Sequence, residues 1–145
     1  MDVGQRLLAI EDIKKVKARY CRFVDTKQWD ELRNLFSEDA IFDGQSAGMG
    51  DIADREQFVA MAQAGLINAV SVHHVHGHEI EFTSDTSADA ICAMEDMLQW
   101  AQGSGSPIST LHGMGHYHET YTKVGDCWKI TSWQLTRLRV DTVAA

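Results

Sequence analysis

The sequence predicts an α+β domain shaped as a cone-like barrel. A long N-terminal helix and two shorter helices would pack on a strongly curved, mostly antiparallel sheet. Two observations establish a helical half followed by a strand-rich half, and the cone is an inference about architecture drawn from them. Apolar residues recur at helical spacing up to about Gly65. From residue 70 onward, four long strand candidates follow one another, joined by short segments of turn chemistry. Helices first and strands after mark an α+β chain rather than a parallel α/β one. A long curved sheet wrapped round a helix leaves a cone open at one end, and that opening is the expected pocket.

The elements follow in order. Residues 4–25 carry Ile13, Val16, Tyr20, Phe23 and Val24 on one helical stripe. Lys14, Lys15, Lys17, Arg19 and Arg22 point elsewhere, so the charged stretch from Glu11 to Lys17 reads as a solvated face. A short second helix shows an apolar stripe of Trp29, Leu32, Leu35 and Phe36. Ala40-Ile41-Phe42 is a short strand, and Gly44 to Gly50 a glycine-rich loop. Asp54 opens a third helix with Gln57 in capping-box position; Phe58, Met61 and Ala62 form its buried face and Gly65 its stop. Residues 70–83, 88–101, 110–124 and 127–141 are the four long strands. The single proline, Pro107, falls in a connection.

Composition narrows the function classes. The 145 residues suit a single domain, 1–145, and 44% hydrophobic content supports one core. A net charge of -8 argues against a nucleic-acid partner. Cys21, Cys92 and Cys127 form no CxxC and no complete disulfide set, so they read as reduced thiols of a cytoplasmic protein. The start, Met-Asp-Val-Gly-Gln-Arg, carries no signal pattern, and no apolar run is long enough for a membrane span.

All seven histidines fall in two strand candidates: His73, His74, His76 and His78 in one, His112, His116 and His118 in the other. Imidazole titrates near neutral pH and ligates metals. Taken singly, each of these histidines is also an ordinary hydrogen-bonded strand or interface position.

Several segments resemble the SnoaL-like family of the nuclear transport factor 2-like superfamily. They are Tyr20-Cys-Arg-Phe-Val-Asp25-Thr-Lys-Gln-Trp29-Asp30-Glu-Leu32, then Leu35-Phe36-Ser-Glu-Asp39-Ala40-Ile-Phe42. Gly115-His-Tyr117-His-Glu-Thr-Tyr121 and Gly125-Asp-Cys-Trp128-Lys129-Ile130 look like that family's last hairpin. The scaffold hosts many chemistries, so the resemblance speaks for fold more than for reaction. Within its scytalone dehydratase and hexachlorocyclohexane dehydrochlorinase branch, an Asp at the end of the first helix orients a strand His that removes a proton from carbon. That resemblance assigns the pair to Asp25 and His73, with His74 as the alternative if the register slips by one. The dehydrochlorinase's lysine stands here as Tyr20 and its arginine as Trp133. The resemblance also implies a homodimer or a homotrimer.

Such chemistry needs a base with a pKa near the working pH, and imidazole starts at about 6.5. A buried carboxylate fixes its tautomer and stabilises the imidazolium. Charge developing on the substrate calls for a donor opposite; Tyr20, Tyr117 and His116 are candidates, and Asp96 or Glu95 is a second acid. No metal and no organic cofactor is required. The expected activity is a lyase or isomerase of dehydratase or elimination type acting on a small hydrophobic or aromatic ring compound. His74, Met94, Asp96, Trp100, His116, Tyr117 and Trp133 would line its site.

Strand parity bears on this assignment. In a regular strand His74, His76 and His78 share a face with Ile80 and Phe82, which would turn His73 outward. A β-bulge at Gly77 would reverse the parity, and one is expected there. Two rival functions stand beside the enzyme. His74-Val-His76 with Glu81 has HxH…E metal spacing, although a cupin would not begin with about 65 largely helical residues. A non-catalytic ligand-binding or assembly domain is the other. Asp25 could equally cap a helix or pair with Arg22 or Lys27, and Arg137 and Arg139 read as partners of carboxylates. Trp128, Trp133, Leu135 and Leu138 exceed what one small core obviously holds, which points to self-association.

Overall fold

The computed structural model describes residues 1–145: three α-helices against one five-stranded sheet. Helix α1 (Val3–Asp25) begins with a complete capping box. The Asp2 carboxylate accepts from the Gln5 N–H at 2.8 Å, and the Gln5 side chain accepts from the Asp2 N–H at 3.0 Å. Its buried stripe contains Ile13, Val16, Tyr20 and Val24 as expected. It also contains Lys17, which is 0% exposed and not on a solvated face. Position 17 lies four residues after Ile13 and three before Tyr20, so helix geometry carries it inward. The charge is tolerated because Glu119 meets it at 3.0 Å.

Helix α2 (Trp29–Asn34) is shorter than its apolar stripe suggested. Phe36 leaves it to open strand β1 (Phe36–Asp43). Helix α3 (Arg55–Leu66) is capped by Asp54, which accepts from the Gln57 N–H at 2.9 Å. The Gln57 side chain reaches back to the Ala53 N–H rather than to Asp54, so the capping box is only half formed. Gly65 stays inside this helix, and the chain leaves it at Ile67.

Strands β2 (Ala69–Ser84), β3 (Ser87–Trp100), β4 (Ile108–Val124) and β5 (Cys127–Ala144) form an antiparallel meander. β1 adds to β5 in parallel, giving the order β1-β5-β4-β3-β2. β1 and β2 are therefore the edges. One face of the sheet packs on the helices. On β4 that face presents Gly113, Gly115, Tyr117, Glu119 and Tyr121, with the intervening residues turned outward.

The expected bulge is present. β2 pairs regularly to His76 opposite Ala93, skips Gly77, and resumes with His78 opposite Cys92. Gly77 has φ +47°, a backbone region in which glycine pays little. Before the bulge Ser71, His73 and Val75 face the helices; after it His78, Ile80 and Phe82 do.

Aromatic rings fill much of the cone. Tyr20, Phe36, Phe58, Tyr117 and Trp133 lie in a chain of contacts with centroids 5.0–6.4 Å apart. Trp128, Trp133 and Leu135 are buried within a single chain, so they do not exceed one core; only Leu138 stays outside. No helix is long and apolar enough to cross a membrane. The three cysteines are free thiols, with Cys21 and Cys92 buried and Cys127 exposed.

Candidate functional site

Asp25 is the last residue of α1, aimed at the start of β2. It does not pair with Arg22 or Lys27. Its Oδ1 accepts from the Ser71 hydroxyl at 3.1 Å and lies 2.7 Å from Nδ1 of His73. Its Oδ2 accepts from the His73 backbone N–H at 2.8 Å. Three bonds from one strand thus fix the carboxylate. A carboxylate against Nδ1 places the proton on that nitrogen and leaves the lone pair on Nε2. The His73 side chain is 9% exposed.

Nε2 of His73 stands 3.9 Å from Oδ2 of Asp96 on β3. Asp96 is not a free acid. Arg137 on β5 donates to both of its oxygens, Nη2 to Oδ2 at 2.9 Å and Nη1 to Oδ1. Burial works against the Arg137 charge, but the Asp96 carboxylate outweighs it and raises the guanidinium above its ordinary value. The pair fits because position 113 is glycine: a Cβ there would stand 2.2 Å from Nη1 of Arg137 and 2.4 Å from Oδ1 of Asp96. Asp25, His73, Asp96 and Arg137 form one polar chain running from α1 across the sheet.

The other expected residues divide. Met94 is buried beside this chain, its sulfur 3.8 Å from Nη1 of Arg137. Trp100 lies on the same face of β3 at the end of the strand, its Nε1 donating to the Gly65 carbonyl at 3.4 Å. Tyr20, Tyr117 and Trp133 point inward but belong to the packed aromatic core. Burial first, then the nearby Glu119 carboxylate, pushes the Tyr20 hydroxyl far above its usual range. Burial does the same for Tyr117. Both are therefore neutral phenols.

His74 and His116 correct the expectation. Both lie on the outer face, because strand alternation opposes each to its inward neighbours His73 and Tyr117. Glu95 faces outward for the same reason. Glu81 is exposed beyond the bulge, so it does not complete an HxH…E set with His74 and His76. Two concavities of about 490 and 400 Å³ also open on the outer face, the first bordered by Ile91, His118 and Gln134, the second by Val72, Met97 and His112.

A second interior cluster escaped the sequence. Lys17 and Glu119 form a fully buried ion pair. The Lys17 ammonium sits 3.6 Å from the Tyr20 ring centroid and 3.3 Å from that of Tyr117. The Tyr121 hydroxyl donates to Glu119 at 3.3 Å. Burial pushes the Glu119 carboxyl up, with Lys17 pulling back. His78 is held below its usual 6.5, first by burial and then by the charges of Lys17 and Lys14.

With this geometry in view, comparison with known proteins identifies the kin. The SnoaL-like domain model matches residues 5–134. The chain belongs to the SnoaL-like family. It is 31% identical to Probable cyclase FGR4 of Gibberella zeae over 135 residues, spanning 87% of this chain and 89% of that protein. A scytalone dehydratase-like protein of Novosphingobium aromaticivorans superposes with a TM-score of 0.85 at 19% identity, covering 99% of this chain and 93% of its own. The hexachlorocyclohexane dehydrochlorinase LinA-type3 of Novosphingobium barchaimii gives 0.82 at 16% identity, covering 99% and 96%. These structures share the fold of this SnoaL-like protein.

Proposed function

We propose that this SnoaL-like protein is a cofactor-independent lyase or isomerase that removes a proton from carbon in a small apolar ring compound. The carrying observation is the 2.7 Å contact that holds His73 Nδ1 on Asp25 while Nε2 faces the interior. Nε2 takes the proton. The freed electron pair moves toward a carbonyl oxygen or expels a leaving group, giving isomerisation, ring closure or elimination. The new imidazolium lies between two carboxylates, Asp25 on Nδ1 and Asp96 beyond Nε2. Met94, Trp100, Tyr117 and Trp133 supply apolar wall, and neutral Tyr20 and Tyr117 are the candidate donors to developing negative charge. The cyclase designation of the Gibberella relative supports carbon–acid chemistry of this kind.

The test is a panel of phenolic, polyketide and steroid compounds in deuterium oxide. The expected result is loss of water, ring closure or a double-bond shift, with exchange at the abstracted carbon. His73→Gln and Asp25→Asn should each lower the rate by at least about 10²-fold, the scale of a general base, with the fold intact. Unchanged turnover in both variants would defeat the mechanism.

A second reading has one observation in its favour. The rings of Tyr20, Phe36, Phe58, Tyr117 and Trp133 occupy much of the cone, as suits a domain that binds or assembles without turnover. Saturable binding of a panel compound with no deuterium exchange would select it. Exposed Ile41, Val70, Leu138 and Val143 support a homodimer or homotrimer, which sedimentation would resolve. Three free thiols support a cytoplasmic setting.

A further inference from the structure

The outer face of the sheet gathers three imidazoles round one carboxylate. His74 and His76 are two residues apart on β2 and project to the same side. Glu95 is the direct cross-strand partner of His74. Nδ1 of His74 lies 3.8 Å and Nε2 of His76 3.7 Å from the same Glu95 oxygen, Oε1. On the next strand, Nε2 of His112 lies 3.1 Å from the other oxygen, Oε2. The His112 hydrogen bond holds the Glu95 carboxyl below its usual 4.5. None of these groups serves the interior site.

We propose that His74, His76 and Glu95 form a surface site for a divalent transition metal of the zinc, nickel or copper class, with His112 orienting the carboxylate. Ligands at about 2.0–2.1 Å in a tetrahedron stand about 3.3 Å from one another. The two nitrogen-to-oxygen separations here exceed that by a few tenths of an ångström. The side chains as they stand do not close round an ion. They are free to do so: His74, His76 and Glu95 are 54%, 62% and 32% exposed. Two imidazoles at alternate strand positions plus a donor from the neighbouring strand give three ligands on one side and leave the fourth position to water. The net charge of -8 favours a cation. β2 is an edge strand held by β3 on one side only, so an ion here would tie that edge to the sheet.

The test uses tag-free protein stripped with a chelator and titrated with zinc ion alone by calorimetry at pH 7.5. The expected result is one saturable ion per chain. Affinity should fall at least about tenfold in His76→Ala and in Glu95→Gln, since even an outer partner of a metal ligand carries that much. His118→Ala, outside the cluster, should bind as the parent does. Circular dichroism of each variant checks the fold. Absence of saturable binding at pH 7.5 overturns the site. So does binding that survives both His76→Ala and Glu95→Gln, or that is lost in His118→Ala alone.

Discussion

Replacing Lys17 with Met tests the buried ion pair and has a calculable signature. The variant keeps the bulk of the side chain and removes the charge, leaving Glu119 fully buried with only the Tyr121 hydroxyl beside it. Breaking one half of a buried pair costs about 3–5 kcal/mol if the surviving charge stays. Glu119 has an escape, which is to take up a proton. From its ordinary 4.5, holding that proton at pH 7 costs about 3.4 kcal/mol, at 1.36 kcal/mol per unit. At pH 5 the same step costs only about 0.7 kcal/mol. The sign follows from linkage. Burial raises the Glu119 pKa in the folded state, so its contribution is fully present below about 4.5 and is lost as pH rises through the folded value. Lys17→Met should therefore cost about 3 kcal/mol at pH 7 and about 1 kcal/mol or less at pH 5. Urea unfolding followed by tryptophan fluorescence at the two pH values measures it. Lys17→Met combined with Glu119→Gln should recover much of the pH 7 loss. An equal loss at both pH values, or no recovery in the double variant, would refute the reasoning.

Three further outcomes are expected. Gly113→Ala should displace Arg137 from Asp96, because the new methyl would stand 2.2 Å from Nη1; the cost is about 1–3 kcal/mol by urea unfolding. His78 should titrate below 6.5 by nuclear magnetic resonance, and its depression should shrink in Lys17→Met; because the folded pKa is the lower one, its contribution is present above 6.5 and is lost on acidification, opposite in sign to that of Glu119. At Gly77, φ +47° leaves no steric neighbour for a side chain, so only the backbone resists substitution; Gly77→Asn should be milder than Gly77→Val by about 1 kcal/mol in thermal or urea unfolding.

The element order and the long strands were legible because their periods differ, 3.6 residues for Ile13–Val24 and two for Tyr117–Tyr121. The inward turn of His73 was legible only through Gly77, since strict alternation along β2 points it outward. Lys17 was not read as buried because a lysine in a charged stretch suggests solvent. The spacing Ile13, Lys17, Tyr20, Val24 nevertheless lies on one helical stripe, and Glu119 stands between two inward tyrosines. Arg137 was read as a carboxylate's partner but not as Asp96's. That pairing spans strands β3 and β5 across β4, and register at that distance is not written in local sequence. Gly113 and Gly115, two glycines inside a strand, were the available sign of a close approach there.

One bond at the α1–β2 junction reaches beyond chemistry. β2 borders the sheet, and a border strand offers its amides to any stray chain that can pair with them. At His73 that amide is already taken, by the second oxygen of Asp25. Substituting Asp25 with Ala would free a donor on the molecule's rim, whereas Asn keeps an acceptor in place. Clumping of the alanine form beside a well-behaved asparagine form would mark this side chain as a guard against unwanted strand addition.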